Sequence, residues 1–458
     1  MPSTRPPVAR RWKWLLSASA LAVLAACGGG GGDGSGDSGN GPFSCTDSDQ
    51  KTWLRSYFND WYFWYRLSPS PDPAVYATTA GYFDALLYNG TDANFPSDRW
   101  SGFESTESFN RFFGDGQTLG YGVSVAGLEV SGLPNQPLYV RYVEPLSPAA
   151  GAGVVRGDRV MSINGRSAAD VISADDFSAL SATAAGQNLT LVLRNALGND
   201  RTVSISSAIF ALSPVPRAQV VTTAGGRKLG YVVVKDMISQ VGTPLANTFA
   251  DFRNQGVSEV VLDLRYNGGG LVSVGGTVGS YIAGVRGAGQ TFARLLYNDK
   301  QAVANNETFN FQSLANAVGS AKVYVLMGRR TCSASEQVIN GLRGVGVQVV
   351  AIGETTCGKP VGFLPRSDTC GTTYSIVNFE SVNARNEGRY FDGFQPTCPV
   401  AEDFTKSLGA SDEPLLATAR VLADGGACPT VTTREQPMSL RKATPGAEPG
   451  ERQGMIPR

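Results

Sequence analysis

No histidine occurs anywhere in the 458 residues of this chain. That absence removes the imidazole base of a Ser-His-Asp triad and the commonest ligand of zinc, haem and non-haem iron. No Cys-x-x-Cys pair offers a cysteine-only metal site, and neither a metal nor a cofactor is expected. Charge of one sign is not in excess either, since 39 basic residues balance 39 acidic ones. The chain therefore has no electrostatic footprint for nucleic acid. Long hydrophobic runs are also missing. The mostly apolar stretch Trp14 to Ala26 falls short of the ~20 residues of a spanning helix. It follows the basic residues Arg5, Arg10, Arg11 and Lys13 and reads as a secretory signal.

That stretch ends in Leu24-Ala25-Ala26-Cys27, which resembles the lipobox of bacterial lipoproteins. The resemblance implies that residues 1–27 are a lipoprotein signal and that Cys27 is lipidated. The alternative is a buried cysteine within an ordinary signal peptide. Gly28 after the cysteine, in place of Asp, implies the outer membrane of the cell envelope, facing the periplasm. Residues 28–42 are rich in Gly and Ser and form a tether with a reach of roughly 20 Å. The mature protein is expected to meet the membrane through lipid alone. Six cysteines remain, and an even number in an exported chain suggests disulfides, with fifteen connectivities available. The pairing expected here is Cys370–Cys398, Cys45–Cys428 and Cys332–Cys357.

Residues 43–116 read as a helical region. Trp53, Tyr57, Phe58, Trp61, Tyr62, Trp64 and Tyr65 crowd its start at spacings that suit a packed core better than a carbohydrate-binding platform. Residues 117–207 differ. Leu119-Gly120-Tyr121-Gly122 precedes a strand-like run, Leu138 to Val143 reads as a strand, and Ser147-Pro148-Ala149-Ala150-Gly151 follows. Gly157-Asp158-Arg159-Val160, Ser162-Ile163-Asn164-Gly165 and the strand Leu189 to Leu193 complete a pattern that closely resembles a PDZ domain. Such domains add a C-terminal tail as a strand and hold its carboxylate on backbone N–H groups. By that resemblance Leu119, Gly120, Tyr121 and Gly122 form the peptide-binding loop; a non-binding PDZ-like module is the alternative. Residues 213–426 read as α/β, with buried strands at Leu229–Val234, Val260–Leu264, Val323–Leu326 and Val347–Ile352. Helices are expected over Pro244–Arg253 and Ser335–Leu342. Residues 427–458, rich in Pro, Gly and charge, are expected to be disordered.

Ser333 follows a strand and opens a helix, where free N–H groups stabilise negative charge on a tetrahedral intermediate. The N–H of Ala334 is a natural donor. A second is expected from the turn Asp263-Leu264-Arg265-Tyr266-Asn267-Gly268-Gly269-Gly270, where the missing Cβ atoms let backbone approach a carbonyl. Taken singly the signals are weak. Ser333 to Glu336 is also a helix-capping pattern, and Lys359 in a glycine loop is also a solvated lysine. Ser439 to Lys442 has Ser-x-x-Lys spacing but sits in the polar tail and is set aside.

Their order is more informative. A PDZ-like domain, Asp-Leu-Arg-x-Asn-Gly-Gly-Gly, Thr-x-Ser-Ala-Ser-Glu and Gly-Glu-x-Thr-x-Gly-Lys together resemble the C-terminal-processing (tail-specific) serine protease family over roughly residues 50 to 425. Gly393-Phe394-Gln395-Pro396, Asp412-Glu413-Pro414-Leu415 and Asp98-Arg99-Trp100-Ser101 also fit. The resemblance implies an α/β, crotonase-like protease core with an inserted PDZ-like domain and an N-terminal helical region. It implies Ser333 as nucleophile and Lys359 as general base. Ala334, Gly268 and Gly269 would form the oxyanion hole, with Glu336 and Thr356 supporting the site. The implied partners are unstructured C-terminal tails of proteins. Three positions depart from the pattern: Cys332 replaces a small non-thiol residue, Gly344 an acidic one, and Phe363 a glutamine that orients the lysine. A non-catalytic PDZ lipoprotein scaffold and a crotonase-like acyl-transfer enzyme are the rival readings. Export disfavours the second, because acyl-CoA substrates are cytoplasmic.

Overall fold

A computed structural model describes residues 41, 42, 44–430, 452 and 454–458. Cys27, the tether up to residue 40 and Ser439 to Lys442 lie outside the described residues. Among the described residues no helix is long and apolar enough to cross a membrane.

The core is built on a six-stranded sheet in the order Arg217–Thr222, Lys228–Val233, Glu259–Asp263, Lys322–Met327, Gln348–Gly353 and Cys398–Pro399. The first pair is antiparallel and the rest are parallel. Alternation along the strands sends side chains to opposite faces. Val260, Leu262, Val323 and Val325 pack on the helices Gly242–Asn254, Val272–Ala283 and Ala334–Gly344, through Leu245, Phe249, Val278, Val338 and Leu342. Val261, Tyr324 and Leu326 face the helix Pro414–Ala423, through Leu415, Leu416 and Ala419. Both faces are covered, which explains the continuous apolar runs in the sequence. A four-stranded sheet, Glu307–Asn310, Thr291–Tyr297, Val377–Val382 and Val361–Phe363, joins the first cluster through Phe292, Leu295 and Phe379.

Val123–Val125, Leu138–Val143, Arg159–Ile163, Asn188–Arg194 and Asp200–Ser206 form a separate sheet, to which Arg166–Ser167 adds at Arg159–Ile163. It closes on its own apolar cluster, which includes Leu138, Val140, Leu189, Leu191 and Ile172. The crowded aromatics after residue 50 are core residues. Trp53, Tyr57, Phe58, Tyr62 and Trp64 are buried with Phe363, Tyr374 and Val377 of the core, so the helix Asp47–Trp61 is fixed to the sheet that carries Phe363.

Two sequence expectations are overturned. The disulfides are Cys45–Cys370, Cys332–Cys357 and Cys398–Cys428, so only the middle pair was anticipated. Cys370 lies in the turn between Arg366–Ser367 and Thr372–Ser375, whose sheet neighbour is Gly102–Ser105, and this brings it to the N-terminal region. Cys398 sits at the sheet edge, where Cys428 reaches it from beyond the helix Pro414–Ala423. The expected disorder of residues 427–458 fails at the far end, where Gly454–Ile456 forms a strand paired in parallel with Gly269–Leu271.

Candidate active site

The strand Lys322–Met327 delivers the chain to Ser333, the N-cap of the helix Ala334–Gly344. Ser333 adopts φ 61° and ψ −117°, a sparsely populated backbone region for a residue with a side chain. The residue is fully buried, and its Oγ has no hydrogen-bond partner among the described residues. An unsatisfied buried hydroxyl is costly, and strain of this kind clusters where a group must be aimed.

Glu336 explains what holds that conformation. One of its carboxylate oxygens accepts the Ser333 N–H at 2.9 Å and the Lys359 N–H at 2.8 Å. The other accepts the Gly358 N–H at 2.8 Å and the Thr356 hydroxyl at 2.5 Å. A single buried carboxylate thus ties the backbone of Ser333 to that of Lys359. Burial pushes its pKa up, while these four hydrogen bonds pull the other way. Thr356 Oγ1 in turn accepts the Phe394 N–H at 2.7 Å. The Cys332–Cys357 disulfide adds a covalent clamp between the same two loops. Cys332, Glu336 and Cys357 bring donor atoms within 4.8 Å of one another, but the sulfurs are bonded together and offer no thiolate pair.

Lys359 is fully buried, and desolvation lowers its pKa from 10.5 to about 7, against the opposing pull of Asp98 and Glu336. Its Nζ lies 3.8 Å from the centroid of the Phe363 ring. Phe363, the departure from the family pattern noted in the sequence, thus sets an apolar ring against the amine and helps keep it dry. The role of Asp98 was not read from the sequence. Its carboxylate accepts from Tyr62 Oη at 2.7 Å, Ser101 Oγ at 2.6 Å and the N–H groups of Trp100 and Ser101. The Asp98-Arg99-Trp100-Ser101 motif is the only signal that marked it.

The glycine turn is held against Ser333 by Asn267. Its backbone carbonyl accepts the Cys332 N–H, and its side-chain Oδ1 accepts Ser335 Oγ at 2.7 Å and the Gly269 N–H at 2.8 Å. The Gly269 N–H, expected as an oxyanion donor, is thus bonded inside the turn in this structure. Gly269 serves through its missing side chain. Its φ is 102°, and a Cβ there would lie 2.9 Å from both Ser333 Cβ and the Ala334 nitrogen. Gly268 and Ala334 are the remaining candidates for donors.

The expected peptide loop is part strand. Gln117–Gly120 pairs with Ala208–Ala211, so only Tyr121 and Gly122 form the turn into Val123–Val125. Tyr121 is packed in the domain's core. Leu119, Gly120, Tyr121 and Gly122 line one groove of ≈ 860 Å³ together with Gly268 and Arg330. The groove therefore runs from this domain to the glycine turn. Arg330, three residues before Ser333, pairs with Glu129. Arg156 donates to the Tyr266 hydroxyl at 2.5 Å and to Glu402 at 2.8 Å. The loop before Ser333 and the glycine turn are thereby bonded to the smaller domain.

Comparison with known proteins matches residues 228–398 to peptidase family S41, residues 49–102 to the peptidase S41 N-terminal domain and residues 139–195 to a PDZ domain. A carboxyl-terminal-processing protease from Picosynechococcus sp. is 27% identical over 268 residues, covering 57% of this chain and 60% of the relative. A chloroplastic carboxyl-terminal-processing peptidase 3 from Arabidopsis thaliana is 30% identical over 223 residues, covering 46% and 41%. The chain thus spans 60% or less of the length of these two relatives. A crystal structure of a protein from Bacteroides fragilis assigned to the S41 proteases superposes with a TM-score of 0.63 at 27% identity. It covers 81% of this chain and 97% of that one.

Proposed function

We propose that the protein is a serine endopeptidase that cleaves proteins bearing unstructured C-terminal tails, with Ser333 as nucleophile and Lys359 as general base. The reading rests on the matched peptidase S41 and PDZ segments and on homologues that process carboxyl termini. The observation that carries it is the Glu336 carboxylate, which accepts both the Ser333 and the Lys359 N–H. The core sheet with helices on its faces suits the crotonase-like arrangement that the motifs imply.

A lysine with a pKa of about 7 is substantially neutral at physiological pH, as a general base must be, and in this reading it takes the Ser333 proton once substrate is bound. Ser333 Oγ then attacks the scissile carbonyl carbon, and the developing oxyanion is stabilised by the N–H groups of Ala334 and Gly268. The Lys359 ammonium returns a proton to the departing amine, leaving an acyl-serine ester. Water, deprotonated by the same lysine, hydrolyses that ester. The tail's carboxylate is held at Tyr121 and Gly122, and the groove leads the preceding chain to Ser333. In this account Cys27 carries a lipid that anchors the enzyme to the outer membrane, facing the periplasm.

The test compares cleavage of one unfolded protein with and without an apolar C-terminal tail. Faster turnover of the tailed form is expected; equal rates would remove tail selection from the proposal.

A further inference from the structure

We propose that Arg452 and the stretch Gly454 to Arg458 act as an intramolecular competitive inhibitor that occupies the cleft beside Ser333. This rests on the protease reading for the identity of the cleft, but the occupancy itself is read from the strand Gly454–Ile456. That strand pairs in register with Gly269–Leu271, Gly454 opposite Gly269 and Met455 opposite Gly270. The Gly454 N–H donates to Gly268 O at 3.1 Å, and the Ser273 N–H donates to Pro457 O at 3.3 Å. A Cβ on Gly269 would lie 2.2 Å from the Gly454 carbonyl oxygen and 2.9 Å from both Ser333 Cβ and the Ala334 nitrogen. One small space is thus shared by the segment's carbonyl, the nucleophile and the oxyanion donor.

The fit extends to side chains. Met455 is fully buried beside Gln337, and Ile456 is nearly so. A Cβ on Gly362 would lie 2.5 Å from the Met455 carbonyl oxygen, so the strand is wedged between Gly269–Leu271 and Val361–Phe363. Arg452 donates to Ser108 Oγ at 2.7 Å and pairs with Glu104, while Arg458 pairs with Glu307. The cleft therefore accepts an extended peptide with a glycine at the nucleophile followed by two large apolar residues.

Direction makes the segment an inhibitor instead of a substrate. Ser108, Glu104 and Arg452 line the same groove as Leu119–Gly122. A tail whose carboxylate sat in that loop would run with its C-terminal end towards it. The segment runs the opposite way, with Arg452 on the groove side and Arg458 at Glu307 on the four-stranded sheet. A strand of reversed polarity bonds to the same edge but exchanges the acyl and amine sides of each peptide, so the departing nitrogen is not presented for protonation.

The experiment uses the full chain, a chain ending at Thr430, and a full-length Met455→Asp variant that expels the segment by burying a charge. The probe is a fluorescent peptide with the sequence Arg452–Arg458. Tethering gives an effective concentration of about 1 mM, so a peptide with Kd of about 100 μM implies roughly tenfold inhibition. The shortened chain and Met455→Asp should bind the probe about tenfold more tightly than the full chain. They should also turn over a short untailed peptide about tenfold faster and leave the probe intact by mass spectrometry. Equal probe binding by all three proteins would overturn the proposal, and so would cleavage of the probe between Gly454 and Met455. Tighter probe binding with no hydrolysis of any substrate would sink the protease reading and leave the occupancy standing.

Discussion

Replacing Lys359 with methionine should stabilise the protein while abolishing its activity. The lysine is fully buried and its pKa is depressed from 10.5 to about 7, with desolvation as the main cause. At about 1.36 kcal/mol per tenfold, that depression amounts to roughly 5 kcal/mol. Between pH 7 and 10.5 the unfolded chain binds the proton that the native state has released, so native stability rises with pH across this window. Below it the full penalty applies, because the buried amine must either stay neutral or carry a desolvated charge. Methionine has a similar length and no such penalty. Urea unfolding with disulfides intact, from pH 6 to 10, should show Lys359→Met the more stable by up to roughly 5 kcal/mol at pH 6. The gap should shrink steadily as pH rises. A gap that stays constant with pH, or a variant less stable throughout, would refute the argument that burial sets the lysine's pKa.

Activity of the wild type should rise with pH through a limb near 7, since only the neutral amine accepts a proton; a flat profile from pH 5 to 9 contradicts this. Glu336→Gln sets an amide donor against two of the four buried donors and should cost about 3 kcal/mol, or about 100-fold in kcat with KM little changed. Its pH limb should also move down, because the carboxylate that holds the Lys359 pKa up is gone. Breaking Cys332–Cys357 by double alanine substitution opens a loop spanning 25 residues and should lower stability by about 3 kcal/mol, read by urea midpoint. Gly122→Val should slow cleavage of a tailed protein more than that of a short peptide, because its φ is 77° and a Cβ would meet Ser147 at 2.0 Å. Gly120→Ala, with only the Gly122 nitrogen at 4.0 Å, should not.

The parts of this account that were legible in the sequence are those written in local pattern. Apolar runs marked the strands through Val260 and Val323 because both faces of that sheet are buried. Ser333 followed by Glu336 marked a helix start, which the structure contains. The backbone twist at Ser333 left no such trace, since nothing in its neighbours distinguishes a positive φ from an ordinary cap. Cys45 and Cys370 are 325 residues apart, and their meeting depends on how Gly102–Ser105 pairs with Thr372–Ser375, which periodicity does not report. The engagement of the Gly269 N–H by Asn267 is likewise a matter of side-chain direction. The strand Gly454–Ile456 is hard to read from sequence because Met455-Ile456-Pro457 is a short apolar island in a polar stretch. Composition outweighed it, although a Gly-Met-Ile triplet was the available clue.

The central claim is that Ser333 attacks and Lys359 takes its proton. It is tested most directly by mass spectrometry of an unfolded, apolar-tailed protein incubated with wild type, Ser333→Ala and Lys359→Arg at pH 8. The account predicts fragments with wild type alone, because alanine has no nucleophile and guanidinium stays protonated. Fragments from the arginine variant at a rate near wild type would contradict it, since no histidine exists in the chain to replace the lysine.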